Sequence, residues 1–125
     1  GSHRPIMVAE ILQALALRPG ETVVDCTLGY GGHARELLAK VAPGGRLIGL
    51  DVDPLEQPKT IARLRAAGWG EDVFTAVRSN FAGLPRVLAE LGVAGADAIL
   101  EVDEAEHGLQ QVIAVRAAAD HVEDS

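Results

Sequence analysis

The stretch VVDCTLGYGGHARELLAKVAPGGRLIGLDVD, from Val23 to Asp53, decides the fold. Val23 and Val24 open a short apolar run typical of a buried strand. Gly29, Gly31 and Gly32 interrupt it, and the helical spacing Ala34, Leu37, Leu38, Val41 follows. Leu47 to Leu50 form a second apolar run, and Asp51 stands at its carboxyl end, roughly twenty residues past the glycine turn. A strand, a glycine turn, a helix and an acid-tipped strand have the shape of a nucleoside-cofactor site. The glycines let the chain turn sharply and let a ligand approach with no Cβ in the way, while the acid accepts hydrogen bonds from ribose hydroxyls.

The glycine spacing narrows the ligand. After Gly29 and Gly31 come Gly32, His33 and Ala34, which does not match the dinucleotide fingerprint G-x-G-x-x-G. A pyrophosphate seat on the following helix is therefore poorly supported, and so is an unrelated nucleotide-binding domain. A cofactor without phosphates, such as S-adenosylmethionine, fits better. The plainer reading of the same residues is a tight strand-to-helix loop, with Asp51 merely opening the next turn.

Four segments carry a family resemblance: HRPIMVAEIL from His3, VDCTLGYGGHARELL from Val24, GGRLIGLDVDP from Gly44 and NFAGLPRVLAELG from Asn80. In the same order and spacing they closely resemble the amino-terminal part of the bacterial ribosomal small-subunit RNA cytosine-N4 methyltransferases. The likeness covers about the first hundred residues, and the TLGxGGH turn is its most specific part. It implies that Gly31, Gly32 and His33 contact S-adenosylmethionine, that Asp51 holds its ribose and that Phe81 packs near its adenine. From the residues alone, His33 could equally cap the glycine turn.

The likeness ends after Leu100. There the family continues with a D-L-G-V-S-S segment, a cofactor-contacting Gln and a long remainder, whereas this chain reads EVDEAEHGLQQ from Glu101 and runs to Ser125. The family's Asp falls at Val102. Asp103 and Gln110 keep a seven-residue separation, but one position out of register and in a different context. A sulfonium methyl is already activated, so such an enzyme chiefly has to hold the target amine in line with it and accept or tolerate the amine's proton. The family's later segments would do that positioning. The expectation is a shortened or recombined relative that keeps part of the cofactor site and lacks the catalytic and RNA-binding parts. No catalytic residue can be assigned.

The rest of the chain alternates helices and strands, as an α/β Rossmann-like three-layer sandwich requires. Val8, Ile11, Leu12 and Leu15 have amphipathic helical spacing that ends before Pro19 and Gly20. Ile61 and Leu64 mark a second crossover helix ending near Gly68. Its start falls around Gln57 or Pro58, because an interior proline costs about 3 kcal/mol. Asp72 to Val77 reads as strand three, Leu84 to Leu91 as a helix and Ala96 to Val102 as strand four. Ala105, Leu109, Val112 and Ile113 give a final helix a buried face, with Asp103 as its N-cap and Glu106 at N3. Right-handed crossovers and the methyltransferase likeness set the parallel order three, two, one, four. That is half of a class I methyltransferase sheet. Strand four would then be an edge, and two chains could pair through it as a homodimer unless the final helix covers it.

Composition fits one domain over 1–125, with a divergent tail at 101–125. The opening Gly1, Ser2 and His3 look like an expression-tag remnant, although His3 also matches the family. Apolar residues make up 48% and aromatic ones only 3%, so the core must be built from Ala, Val, Leu and Ile. A net charge of −7 argues against an extended RNA-binding surface and suits a cationic cofactor. Arg63, Arg65, Arg78 and Arg86 are scattered and read as solvated helix faces, and His107 and His121 as surface residues of the final helix. Cys26 is the single cysteine. It reads as a small buried hydrophobe, excludes an internal disulfide and fits a cytoplasmic setting. No apolar stretch approaches the roughly eighteen residues of a membrane span. The cluster Glu101, Asp103, Glu104, Glu106 and His107 lacks metal-ligand spacing, so no metal is expected. The competing function is a non-catalytic structural or engineered α/β module that self-associates.

Overall fold

A computed structural model describes residues 8–26, 34–51, 55–104 and 110–117. In chain order these form α1 (Val8–Leu15), β1 (Thr22–Asp25), α2 (Ala34–Val41), β2 (Arg46–Asp51), α3 (Glu56–Ala66), β3 (Phe74–Arg78), a single 3₁₀ turn (Phe81–Gly83), α4 (Leu84–Glu90), β4 (Ala98–Glu104) and β5 (Gln110–Arg116). The strands make one sheet in the order β3-β2-β1-β4-β5. The first four are parallel and in close register, with Val24 beside Ile48 and Ile99, and Ile48 beside Thr75.

The apolar runs explain the layering. A strand covered on both faces needs apolar residues at successive positions, and Val23–Val24 and Leu47–Leu50 supply them. Val23, Leu47, Phe74, Ala98 and Leu100 face one side, where Leu15 of α1, Leu37, Leu38 and Val41 of α2 and Leu64 of α3 close over them. Val24, Ile48 and Leu50 face the other, where Leu84 and Val87 of α4 cover them. Every one of these residues is buried. The core is thus built from Ala, Val, Leu and Ile, joined by Phe74, as the composition requires. The α3 helix opens at Glu56, with Pro58 in its first turn. There the missing N–H has no intrahelical partner to lose.

The tail departs from the expected final helix. Gln110–Arg116 is a strand, antiparallel to β4, with Glu104 opposite Gln110 and Ala98 opposite Arg116. Asp103 consequently lies within β4, opposite Gln111, and is not an N-cap. The sheet order three, two, one, four holds for the parallel part, but β4 is not an edge, and a homodimer paired through β4 has no free ladder to use. Two physical reasons favour the strand. Val112, Ile113 and Val115 are β-branched and prefer a pleated surface, and the bare edge of β4 offers a ladder that a helix would leave unsatisfied. Glu106 lies outside the described residues, as do Ala105 and Leu109.

The tail is also fastened to the body of the domain. Arg116 donates from Nη1 to the Leu15 carbonyl at 3.1 Å and to Glu21 Oε1 at 3.1 Å, and its Nη2 pairs with Glu21 Oε2. Beside this clasp the Ala117 N–H donates to the Asp97 carbonyl, and Asp97 Oδ2 accepts from the Thr22 N–H at 2.8 Å. The start of β1 and the end of β5 are thereby tied together.

Candidate functional site

In a parallel sheet of this kind ligands sit outside the carboxyl ends of the strands. Here that edge brings together Asp25 at the end of β1 and Cys26 just after it, Asp51 from β2, and the chain leaving β3 toward Phe81. Asp51 is half-buried at the last position of β2, with Arg78 beside it in register on β3. Its backbone carbonyl accepts from the Ser79 N–H at 3.1 Å, which pins the exit of β3 to the residue expected to hold the ribose.

The turn that follows is rigid for a local reason. Ser79 Oγ donates to the Asn80 carbonyl at 2.9 Å, and the Gly83 N–H donates to Asn80 Oδ1 at 3.1 Å. A Cβ on Gly83 would lie 2.4 Å from Ser79 Oγ, so a larger residue there would require the Ser79 hydroxyl to rotate away from the Asn80 carbonyl. Phe81 begins the 3₁₀ turn inside this loop. The backbone therefore carries Phe81 on the same sheet edge as Asp51. Below the turn a groove of about 420 Å³ runs between the end of β3 and α4, lined by Val77, Arg78, Ser79, Gly83, Arg86 and Val87 among others. Gly31, Gly32 and His33 lie outside the described residues.

Two residues that the sequence reading undervalued belong to this edge. Asp25 is fully buried at the end of β1, one residue before Cys26 and opposite Gly49 and Leu100. A carboxylate at such a position costs free energy unless it is hydrogen-bonded, so an acid there is a built feature. The signal was readable: an acid interrupts the apolar run just before the glycines. Glu101 is the second, half-buried on β4 and close enough to Cys26 for its charge to act on the thiol. Cys26 itself is half-buried. Burial, with Asp25 and Glu101 adding to it, pushes its thiol up to about 12. It stays neutral near pH 7, in keeping with a packing role and against a nucleophile beside an alkylating cofactor.

The donor set fits a ribose-bearing cationic cofactor. The Asp51 carboxylate would accept from a diol, and Asp25 and Glu101 place two further acids along the edge. Val102, the position at which the resemblance expects an Asp, lies in β4 opposite Val112. Among the described residues no group of three or more metal-ligating side chains occurs, and no helix is long and apolar enough to cross a membrane.

Comparison with known proteins agrees with this geometry. The model of the MraW methylase family matches residues 1–103. The chain is 50% identical over 109 residues to ribosomal RNA small subunit methyltransferase H of Geobacter sulfurreducens, which covers 86% of this chain and 34% of that protein. It is 42% identical over 118 residues to ribosomal RNA small subunit methyltransferase H 1 of Agathobacter rectalis, which covers 86% of this chain and 33% of that protein. The chain thus spans about a third of the length of these curated relatives. The fold is shared with a SAM-dependent methyltransferase from Aquifex aeolicus, at a TM-score of 0.55 and 18% identity over 83% of this chain and 71% of that one. The matched segment takes in β1, β2 and β3 and leaves β5 outside it, and the chain belongs to the MraW methylase family.

Proposed function

We propose that this chain is a cofactor-binding part of an S-adenosylmethionine-dependent ribosomal RNA cytosine-N4 methyltransferase, able to hold the cofactor but not to transfer its methyl group alone. The observation that carries this is the meeting of Asp51 and the pinned Ser79–Gly83 turn at the carboxyl edge of the sheet. Asp51 accepts the ribose hydroxyls, Phe81 packs near the adenine, and Gly31, Gly32 and His33 contact the cofactor. Bound there, the cofactor supplies an activated methyl group.

What is missing is acceptor positioning. Transfer requires the amine to be held in line with the methyl at near-attack distance, which is worth several orders of magnitude in rate. The relatives are about three times as long as the matched region, and we assign the holding of RNA to their remainder. The surplus of acidic residues, at a net charge of −7, supports that assignment, since RNA affinity rests on clustered cations. We place the chain in the cytoplasm because the relatives it resembles are named for ribosomal RNA.

The test pairs two measurements on the same preparation: photocrosslinking of labelled S-adenosylmethionine, and label transfer to a small-subunit ribosomal RNA fragment. Crosslinking without transfer is the expected result. Transfer to RNA would show that the chain is a complete enzyme. Absence of both would leave the self-associating structural module as the reading to adopt.

A further inference from the structure

Two arginines share the groove beside the β3 exit. Arg78 ends β3 and Arg86 stands in the first turn of α4, both exposed and both in the groove's lining. Four other arginines serve the fold: Arg46 bonds Thr75, Arg63 bonds Thr60, Arg65 bonds the Trp69 carbonyl and lies over the Phe74 ring, and Arg116 clasps Glu21. Among the described residues, Arg78 and Arg86 make no such contact. Glu90 lies four residues along α4 from Arg86, a spacing that suits an ion pair, yet the two are not paired. The Ser79 hydroxyl donates to the Asn80 carbonyl and the Gly83 N–H to Asn80 Oδ1, so the side chains left to donate into the groove are the two guanidiniums. Val77, Ala82 and Pro85 add an apolar wall.

We propose that this groove binds the phosphomonoester of a mononucleotide, at a site separate from the cofactor edge. Guanidinium forks match phosphate and carboxylate oxygens, and a carboxylate's oxygens are filled by a single fork. A phosphomonoester offers three terminal oxygens and a charge of about −1.5 to −2 at neutral pH, enough for both arginines. The phosphodiester of an RNA backbone carries a single charge and one terminal oxygen fewer. Two cations, with Glu90 opposing them, are also too small a positive surface to hold RNA on a chain of net charge −7. They suffice for one phosphate. The apolar wall takes the nucleoside, and at about 420 Å³ the groove has the size of a small-molecule site. Its described lining includes no residue of β1 or β2, and so not Asp51. Occupancy here is therefore independent of cofactor binding.

Uridine 5′-monophosphate, which has no adenine to compete for the cofactor's place, is the probe, titrated into isotope-labelled protein and followed by NMR. Saturable shifts are expected at the Ser79, Ala82 and Gly83 amides. Arg78→Gln and Arg86→Gln give up no hydrogen bond of the fold, so each should melt like the wild type and bind about tenfold more weakly. Arg35→Gln, which removes an exposed arginine on α2, should bind as the wild type does. Uridine, lacking the phosphate, should leave these amides unmoved. A hydroxyl-ended oligouridylate, which has only diesters, should bind more weakly than the mononucleotide, and excess S-adenosylmethionine should not displace the probe. The proposal is overturned by unmoved amides, by full affinity in Arg78→Gln or Arg86→Gln, or by an equal loss in Arg35→Gln. Oligouridylate binding as tight as the mononucleotide's would put a diester backbone in the groove, and displacement by S-adenosylmethionine would put the probe at the cofactor edge; either also overturns it.

Discussion

Replacing Arg116 with alanine should destabilise the domain by about 2 kcal/mol. The magnitude follows from the clasp. The guanidinium makes two donations at 3.1 Å, one to the Leu15 carbonyl and one to Glu21 Oε1, and a further pairing with Glu21 Oε2. Hydrogen bonds to charged groups are worth about 1.5–3 kcal/mol when sheltered, while exposed ion pairs are worth about 0–1 kcal/mol. The two side chains are 29% and 14% exposed, so the clasp lies between these limits. For a chain of 125 residues the midpoint should fall by about 6–10 °C. The hydrogen bond from Arg116 is the chief cause that holds the Glu21 carboxyl below its ordinary value of 4.5. A depressed carboxyl contributes stability that is fully present above that ordinary value and is lost as pH falls through the folded value. The difference between wild type and Glu21→Gln should therefore be full at pH 7 and shrink only below about pH 4.5. Thermal melts of Arg116→Ala, Glu21→Gln and the double variant give the coupling directly, expected at about 1 kcal/mol. Additive single effects, or a loss below about 0.5 kcal/mol for Arg116→Ala, would refute the claim that the tail is clasped to the start of β1.

Two further substitutions probe the body of the domain. Gly45→Ala would place a Cβ 2.4 Å from the Val41 carbonyl oxygen and 2.5 Å from that of Glu21. Both neighbours are backbone, so urea unfolding should show a loss of about 3 kcal/mol or more. Cys26, with its thiol pushed up to about 12, should resist iodoacetamide at pH 8 in the folded protein and react once urea unfolds it. Rapid labelling of the native state would mean that the thiol is neither buried nor opposed by Asp25 and Glu101.

Sequence and structure agree most closely where local pattern and burial point the same way. Val23–Val24 and Leu47–Leu50 read as strands covered on both sides, and the helical spacing of Ala34, Leu37, Leu38 and Val41 leaves one face for the sheet. The position of Asp51 at the end of β2 follows directly. The tail was misread because Ala105, Leu109, Val112 and Ile113 satisfy helical spacing, while the choice of strand depends on an open β4 edge that no local pattern reveals. Asp25 is visible in the sequence as an acid that interrupts its apolar run, while its full burial shows only in three dimensions. The fastening of Ser79 to Asp51 is likewise a contact between distant segments, and no spacing rule encodes it.

The central claim is that the carboxyl edge holds S-adenosylmethionine through Asp51. Calorimetric titration of the cofactor into the purified chain, with Asp51→Ala alongside, tests it most directly. Saturable binding by the wild type is expected, with about a tenfold or greater loss in Asp51→Ala, whose melting should show that it is still folded. No heat and no thermal stabilisation of the wild type, or equal binding by both proteins, would contradict it.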